Sequence, residues 1–371
     1  MNEIFDKVLQ AARKLGASDV HLKVGLPPVF RIRGMLRTLK DVPPVNGDVI
    51  MTFAVNLMSE SQHQRFTQDL QIDLAYAAPD GSRYRVNVFR QRGETGMVLR
   101  IIPSEVPPFE RLNLPDRVRG LSKEHRGLVL VTGVTGSGKS TTLASLIDVV
   151  NRERAAHIVT VEDPIEYVFR DRRSVINQRE IGLDTNSFAD ALRAALRQDP
   201  DVILVGEMRD YETIRTALLA AETGHLVFST LHTIDAKETI SRIIQMFPSD
   251  EQSAIRVQLA SILRAVVSQR LLVRADGRGM VPAIEILINT QRVRSLIEDD
   301  QRTSEILDAI KEGQHPYGMM SFDQSLTDLV QRKLITYDTA LTAATNPEDF
   351  ALYFRGVSAG GGTESSAMDL E

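Results

Sequence analysis

The fold is decided by one stretch, Leu128-Val129-Leu130-Val131-Thr132-Gly133-Val134-Thr135-Gly136-Ser137-Gly138-Lys139-Ser140-Thr141-Thr142. It is an apolar run followed by a glycine-rich loop, and it fits the pattern G-x-x-x-x-G-K-[ST] without a gap. The glycines permit backbone conformations in which successive N–H groups turn inward around a phosphate. Leu143, Leu146 and Ile147 mark an amphipathic helix whose positive end then points at the anion. The order of strand, loop and helix predicts a site for a nucleoside triphosphate.

The polar residues of this loop have predictable roles. Lys139 can reach the β- and γ-phosphates of the nucleotide, and the hydroxyl of Ser140 is placed to bind Mg²⁺. The alternative is a flexible glycine loop without a ligand, and the order of the flanking elements argues against it. The predicted nucleotide-binding residues are Gly133, Val134, Thr135, Gly136, Ser137, Gly138, Lys139, Ser140 and Thr141.

Length and composition limit the classes of function. A chain of 371 residues is expected to form two or three domains. The net charge of −5 gives no general attraction to nucleic acid or acidic lipid. Cysteine is absent, which excludes disulfides, thiolate metal sites and cysteine catalysis. Because no segment approaches eighteen uninterrupted apolar residues, we expect a soluble, cytoplasmic protein.

The N-terminal part, residues 1–102, predicts an α+β domain. Alternating and helical apolar patterns, separated by turn residues, give its elements. The predicted helices cover 4–15, 47–58 and 61–70, and the predicted strands cover 19–24, 29–33 and a hairpin that follows the turn Pro79-Asp80-Gly81.

The last hairpin of this domain carries a group of arginines. Tyr84, Val86 and Val88 alternate with Arg83 and Arg85, so one face is apolar and the other cationic. We assign Arg90, Arg92 and Arg100 to the cationic side as well. These arginines either form a solvated face or reach a phosphate that belongs to another subunit.

A proline-rich linker, residues 103–116, separates this domain from residues 117–357, where buried strands between helical stretches predict a parallel sheet.

Strand 158–161 is followed by Glu162, Asp163 and Glu166 at its carboxyl end, where ligands collect in α/β folds. Strand 202–205 resembles a Walker B strand, but Gly206 stands at the usual acidic position and Glu207 follows it. Strand 226–229 lies between His225 and His232, which could sense phosphate or a neighbouring subunit.

The remainder is predicted to be rich in helices. Apolar stripes over 240–247 and 255–267 indicate core helices. Residues 269–274 and 281–288 are predicted strands, and another helix starts at Thr290. The tail, residues 358–371, lacks the apolar content to fold, so we predict that it is disordered.

Together these motifs resemble the type II/type IV secretion ATPases, most closely the PilT family of type IV pilus retraction ATPases. The resemblance covers nearly the whole chain. It depends on Gly-Ala-Ser-Asp-Val-His-Leu at 16–22, the loop at 133–140, the acidic segment 160–166, the strand ending in Glu207, and the segment from His225 to His232. One departure is Ser295, which stands where the retraction family has asparagine in Ala-Ile-Arg-Asn-Leu-Ile.

The resemblance implies an α/β fold in which an N-terminal PAS-like domain precedes a RecA-like P-loop ATPase domain with a helical C-terminal region. It implies that Mg-ATP binds at Lys139 and Ser140, with Glu207 as the Walker B partner and His225 and His232 near the nucleotide. Glu166 is then the water-activating base. Two alternatives for Glu162 stay open, because it could act as the base or hold Mg²⁺ together with Ser140 and Glu207.

The implied assembly is a homohexameric ring in which each N-terminal domain stacks on the neighbouring ATPase domain. Arg83, Arg85 or Arg90 could then act across a subunit boundary. The implied function is an ATP-driven motor that retracts a pilus from the cytoplasmic side by acting on an inner-membrane platform protein. A paralogous retraction ATPase is a further possible partner, and nucleic acid is not expected.

Two other functions compete with retraction. One is a pilus assembly or type II secretion ATPase, although those usually carry a four-cysteine zinc element and a further N-terminal domain, both missing here. The other is a nucleotide-binding regulator or an accessory paralogue of the motor.

Overall fold

The glycine-rich stretch belongs to the larger of two units into which the protein divides in the computed structural model. The first unit comprises Met1–Val106 with Pro164–Phe169 and Gly182–Asp184, and the second comprises the remaining segments, from Pro107 onward. The structure describes residues 3–32, 34–39, 42–103 and 105–360. The predicted domain boundaries, with a separate linker at 103–116, stay a prediction.

The first unit is built on an antiparallel sheet of six strands in the order β3-β2-β1-β6-β5-β4. Its elements, in chain order, are α1 (Glu3–Lys14), β1 (Ala17–Leu22), β2 (Val29–Ile32), β3 (Met35–Thr38), α2 (Gly47–Leu57), α3 (Glu60–Asp69), β4 (Gln71–Ala77), β5 (Arg83–Gln91) and β6 (Glu94–Ile102).

Local signals in the sequence explain these elements. Ser59 and Gln62 form a capping box that starts α3, and the left-handed Gly16 (φ 63°) follows α1. Strand β4 alternates between exposed and buried side chains, as expected for a strand with one face on the core. Arg92 and Gly93 both have positive φ, which produces the tight turn between β5 and β6. The predicted helices and hairpin of this part are confirmed.

The second unit contains a sheet of seven strands in the order β13-β12-β7-β11-β10-β8-β9. All neighbours are parallel except β12 and β13, which form an antiparallel pair. The strands are β7 (Gly127–Thr132), β8 (His157–Glu162), β9 (Val175–Glu180), β10 (Val202–Val205), β11 (Leu226–Leu231), β12 (Leu263–Val273) and β13 (Met280–Ile288). The predicted parallel sheet with covering helices is confirmed.

The helices of the second unit cover the sheet and form the C-terminal region. They are α4 (Asp116–Gly120), α5 (Lys139–Glu153), α6 (Phe188–Ala195), α7 (Tyr211–Glu222), α8 (Ala236–Gln245), α9 (Gln252–Ile262), α10 (Gln291–Glu298), α11 (Ile306–Glu312), α12 (Gln314–Tyr317), α13 (Phe322–Gln331), α14 (Tyr337–Ala343) and α15 (Pro347–Gly360).

One sequence prediction is corrected here, and one strand was missed. The predicted helix over 255–267 is too long, because α9 ends at Ile262 and residues 263–267 belong to β12. These residues pair with β7 on one side and β13 on the other, and a short buried apolar run cannot be distinguished from a helix by its period. The edge strand β9 was not predicted, since its sequence Val-Ile-Asn-Gln-Arg-Glu is largely polar.

The predicted disordered tail overlaps the end of α15, which reaches Gly360. Residues 361–371 lie outside the described residues. Within the part of the chain that the structure describes, no helix is long and apolar enough to span a membrane.

Candidate nucleotide-binding site

The glycine loop, residues 133–138, connects the fully buried strand β7 to helix α5. Gly133, Gly136 and Gly138 have φ values of 141°, 81° and 91°, which side chains rarely permit. A Cβ atom at Gly133 would lie 2.4 Å from the carbonyl oxygen of Gln269 and 2.5 Å from Ser137 Oγ. Glycine is therefore required both by conformation and by the close approach of β12.

Lys139 is the first residue of α5, and its side chain folds back over the glycine loop. Its Nζ donates to the carbonyl oxygens of Gly133 at 2.7 Å and Val134 at 3.1 Å. The residue is only 8% exposed, and this burial lowers the pKa of Lys139, while the negative charge of Glu207 opposes the shift. The structure thus places a desolvated cation at the N-terminus of a helix, beside the loop amides.

The loop residues suit a phosphate group. Ser137 Oγ is buried and has no hydrogen-bond partner among the described residues, so it can donate to a phosphate oxygen. The residues Val134, Thr135 and Ser140 are exposed and leave this side of the loop open to a ligand. Gln269 supports the loop from β12, because its Nε2 donates to the Ser137 carbonyl at 3.4 Å. The sequence places Gln269 only in a predicted strand, since nothing local indicates this contact.

Glu207 follows β10 at the carboxyl edge of the sheet and contacts two basic side chains, those of Arg209 and His232. Its Oε2 lies 2.7 Å from Arg209 Nη2, and its Oε1 lies 3.1 Å from His232 Nε2. Burial alone would raise the pKa of Glu207, but the hydrogen bond from Arg209 and the charges of His232 and Arg209 outweigh it, so the pKa is lowered. The predicted site residues Glu207 and His232 are therefore adjacent. Arg209 was missed, although its charge two positions after Glu207 was a usable signal.

Gly206 explains why the acidic residue is displaced by one position. A Cβ atom at Gly206 would lie 3.2 Å from the Val161 carbonyl oxygen and 3.3 Å from Glu162 Cα. The Gly206 amide also donates to that carbonyl at 2.7 Å. Because β8 passes so closely, a side chain at position 206 would crowd its backbone, and the carboxylate is provided by Glu207 instead.

Glu162 ends β8 as predicted, and it is 8% exposed. Its Oε1 accepts hydrogen bonds from Thr160 Oγ1 at 2.7 Å and from Gln178 Nε2 at 3.2 Å. Glu166 is exposed and belongs to the segment Pro164–Phe169, which is part of the first unit. Of the two candidate bases, the structure thus describes only Glu162 within the second unit.

His225 lies at the opposite end of β11 from His232. The carbonyl of His225 accepts from the amide of Gly127 at 3.0 Å, at the start of β7, whereas the glycine loop follows the end of β7. A strand of this length separates the two histidines by roughly 20 Å. The structure therefore places His225 at the opposite edge of the sheet from the glycine loop, and its predicted role toward a phosphate or a neighbouring subunit stays a prediction.

The arginines of the N-terminal hairpin lie on two faces. Arg85 pairs directly with Arg100 across β5 and β6, and alternation places Arg83 on the same face. Arg90 lies on the other face, 5.7 Å from the ring centroid of the buried Phe66. The prediction that Arg90 joins the cationic face is wrong. Arg90 lies an even number of residues after the buried Tyr84, Val86 and Val88, so alternation places it on their side of β5.

The acidic partners of this cationic face are on neighbouring strands. Arg100 Nε lies 2.9 Å from Asp19 Oδ1, and Arg85 Nε lies 3.8 Å from Asp73 Oδ1. Burial acts to raise the pKa of Asp19. The hydrogen bonds from Arg100 and Ser18 lower it by more, so the net pKa of Asp19 is below its ordinary value and the carboxylate stays ionised. The face is therefore a mixed array of charges in which arginines predominate.

A buried strand that enters a glycine loop and a helix, with carboxylates at the ends of neighbouring parallel strands, defines an α/β nucleotide-binding protein. The family described as "Type II/IV secretion system protein" matches residues 1–317. The chain belongs to this family.

Relatives within the family are similar over nearly the whole chain. "Type IV pilus retractation ATPase PilT" of Pseudomonas aeruginosa is 44% identical over 93% of this chain and 99% of its own length. "Twitching motility protein" of Neisseria gonorrhoeae is 45% identical over 87% of this chain and 86% of its own. The crystal structure of the pilus retraction motor PilT with bound ADP superposes with a TM-score of 0.85 at 47% identity, covering 92% of this chain and 97% of that one.

Proposed function

We propose that this protein is an ATP-hydrolysing motor that powers the retraction of type IV pili. The observation that carries the proposal is the glycine loop with Lys139 folded over it, in a chain that matches the retraction ATPase of Pseudomonas aeruginosa over 99% of that protein's length. The parallel strands around the loop, with Glu162 and Glu207 at the carboxyl ends of β8 and β10, support a RecA-like ATPase domain. An ADP-bound relative of the same fold supports nucleotide binding.

The residues of the second unit account for the binding of phosphate and metal. The loop amides and Lys139 hold the phosphates, and Ser137 adds a hydroxyl donor. Ser140, Glu162 and Glu207 offer the hard oxygen ligands that Mg²⁺ prefers, and the bound ion would neutralise charge on the phosphates. Glu207 and His232 form a polar pair at the sheet edge. Glu166 or Glu162 then accepts the proton of the attacking water.

The assembly is part of the same proposal. We place the protein in the cytoplasm at the base of the pilus, as a homohexamer that acts on an inner-membrane platform protein, with a paralogous retraction ATPase as a further partner. Its low net charge favours protein partners over nucleic acid.

The test combines purified protein and cells. The purified ring is expected to hydrolyse ATP, and a strain without the gene is expected to keep its pili but lose retraction. Restoration by the wild-type gene, and none by a Lys139→Ala gene, supports the motor. A strain that loses pili altogether identifies an assembly ATPase, and turnover only in the presence of a second ATPase identifies an accessory paralogue.

A further inference from the structure

A buried carboxylate lies beneath the start of helix α8, outside the site described above. Glu285 on β13 is only 4% exposed. Its Oε1 accepts a hydrogen bond of 2.8 Å from the backbone amide of Ala236, the first residue of α8. The bond satisfies one of the amides that a helix N-terminus leaves without an internal partner, and a carboxylate also suits the positive end of the helix.

Glu285 belongs to a polar row that crosses three strands. It is the direct cross-strand neighbour of Ser268 on β12, which in turn pairs with Thr132 on β7. The hydroxyls of Ser268 and Thr132 are 2.8 Å apart. Direct neighbours in a sheet share a face. Thr132 is the last residue before Gly133, so the row extends from the glycine loop to the start of α8.

The start of α8 also leads back to the proposed site, since Ala236 follows His232 by four residues. Apart from the contact of His232 with Glu207, the other polar contacts of this segment among the described residues are local. Thr233 Oγ1 lies 2.7 Å from Thr239 Oγ1, and the amide of Ile234 donates to Glu238 Oε2 at 2.9 Å. The bond from Ala236 to Glu285 differs because it ties the segment to a strand of the sheet.

The charges around Glu285 come from three elements. Asp235 at the start of α8 and Asp323 on α13 are anionic, and Arg270 on β12 is cationic. Burial is the main cause that raises the pKa of Glu285 to about 7, and the Ala236 amide and Arg270 oppose it. Arg270 is itself fixed over the Phe322 ring, 3.9 Å from the centroid.

We propose that Glu285 is a positioning residue, which holds the start of α8 through the Ala236 amide and so keeps His232 beside Glu207. The proposal rests on the proposed nucleotide hydrolysis, in which the His232 and Glu207 pair takes part. Without the bond, residues Thr233 to Ala236 retain only local polar contacts, and His232 is held to the sheet through Leu231 and Glu207 alone.

The test compares two variants with a matched control. Glu285→Met keeps most of the volume but has no acceptor for the amide, whereas Glu285→Gln keeps a carbonyl oxygen at that position. The control is Ser325→Ala, which removes the buried acceptor of the Ile284 amide (3.0 Å), on the same strand, without contact to α8. Circular dichroism establishes that all three fold.

The first readout does not depend on activity. Hydrogen exchange of peptides covering residues 232–245 is expected to be at least tenfold faster in Glu285→Met than in the wild type, and within twofold of it in Glu285→Gln and Ser325→Ala. The second readout is turnover. We expect kcat to fall by about tenfold in Glu285→Met alone, while ADP binding changes less than twofold.

Two results overturn the proposal. One is unchanged exchange in Glu285→Met, and the other is a Glu285→Gln protein as impaired as Glu285→Met, because the acceptor would then not be what matters. If the wild type does not hydrolyse ATP, the proposed function fails, and the exchange experiment still decides whether Glu285 positions this segment.

Discussion

The Nε2 atom of His232 lies 3.1 Å from Oε1 of Glu207, across the ends of the neighbouring parallel strands β10 and β11. Two residues that lie twenty-five positions apart in sequence are therefore in contact at the edge where the glycine loop begins. The second oxygen of Glu207 binds Arg209. Glu207 thus joins the end of β10 to His232 at the end of β11 and to Arg209.

Removal of the loop cation should abolish turnover without unfolding the protein. Lys139→Ala deletes the charge that stabilises phosphates in the transition state, and it also deletes two hydrogen bonds to the loop. We expect kcat to fall by about 10³-fold or more, measured by phosphate release. Circular dichroism and ring formation serve as controls, and near-normal turnover of a folded ring would contradict the assignment of the site.

The pH dependence of turnover should report the partners of Glu207. The pKa of Glu207 is lowered in the folded protein. The negative charge of Glu207 therefore stabilises the fold fully above pH 4.5, the ordinary pKa, and this stabilisation is lost as the pH falls through the lowered pKa. His232→Ala removes one lowering partner, so the pKa rises and activity should be lost at a higher pH on the acid side. The pH–rate profile measures this shift. An acid limb that does not move would show that Glu207 ionisation is not needed for turnover.

A side chain at Gly206 should destabilise the second unit. In Gly206→Ala the new Cβ meets the backbone of β8 at 3.2 and 3.3 Å, and backbone cannot yield as a flexible side chain can. We expect the free energy of unfolding to fall by about 1–3 kcal/mol. Gly120→Ala is the matched control, because that glycine has helical φ and nothing within 4 Å of its added Cβ, and it should be neutral or slightly stabilising.

The two candidate bases can be separated by paired glutamine variants. Glu166→Gln is expected to bind Mg-ATP normally and to hydrolyse it about 10²-fold more slowly or worse, because the proton acceptor is lost while the shape remains. Glu162→Gln should be milder, since Glu162 already accepts two hydrogen bonds from its own unit. Single-turnover rates decide between them, and the reverse order would make Glu162 the base.

The sequence predicts most of the second unit because its strands are buried on both faces and its glycine loop needs residue types with few alternatives. The strand over 202–205 is found with its observed bounds for that reason. The sequence does not distinguish Leu263 to Val267 from a helix, since a continuous apolar run has no period. The sequence also gives no signal for β9, because its side chains are largely polar and it becomes a strand through its parallel pairing with β8.

The candidate site is predictable where chemistry is carried by one segment and unpredictable where it is assembled by the sheet. Lys139 and Glu207 follow from their motifs. The contact of Gln269 with the loop and that of Glu285 with Ala236 join segments more than forty residues apart, and no local pattern indicates them. The histidines differ from these contacts, because the length of the strand between them already places His225 and His232 at opposite ends of β11.

The hairpin arginines give the last prediction. If Arg83 or Arg85 acts on the γ-phosphate of a neighbouring copy, each site is composite, and mixtures of defective proteins should regain activity. Arg85→Ala has an intact loop, and Lys139→Ala has intact arginines. Each variant is expected to be nearly inactive alone. After subunit exchange, the rate of phosphate release of the mixture should exceed the sum of the rates of the two variants measured separately.

Arg90→Ala provides the control that the structure adds to this experiment. Its guanidinium packs over Phe66 on the opposite face of the hairpin, and an exposed cation–π contact contributes only about 0.5–1 kcal/mol. We therefore expect Arg90→Ala to be slightly less stable and to keep its turnover, while Arg83→Ala behaves like Arg85→Ala. If neither Arg83→Ala nor Arg85→Ala loses activity, or if exchange-competent mixtures recover none, the arginines form a solvated face and the site is complete within one subunit.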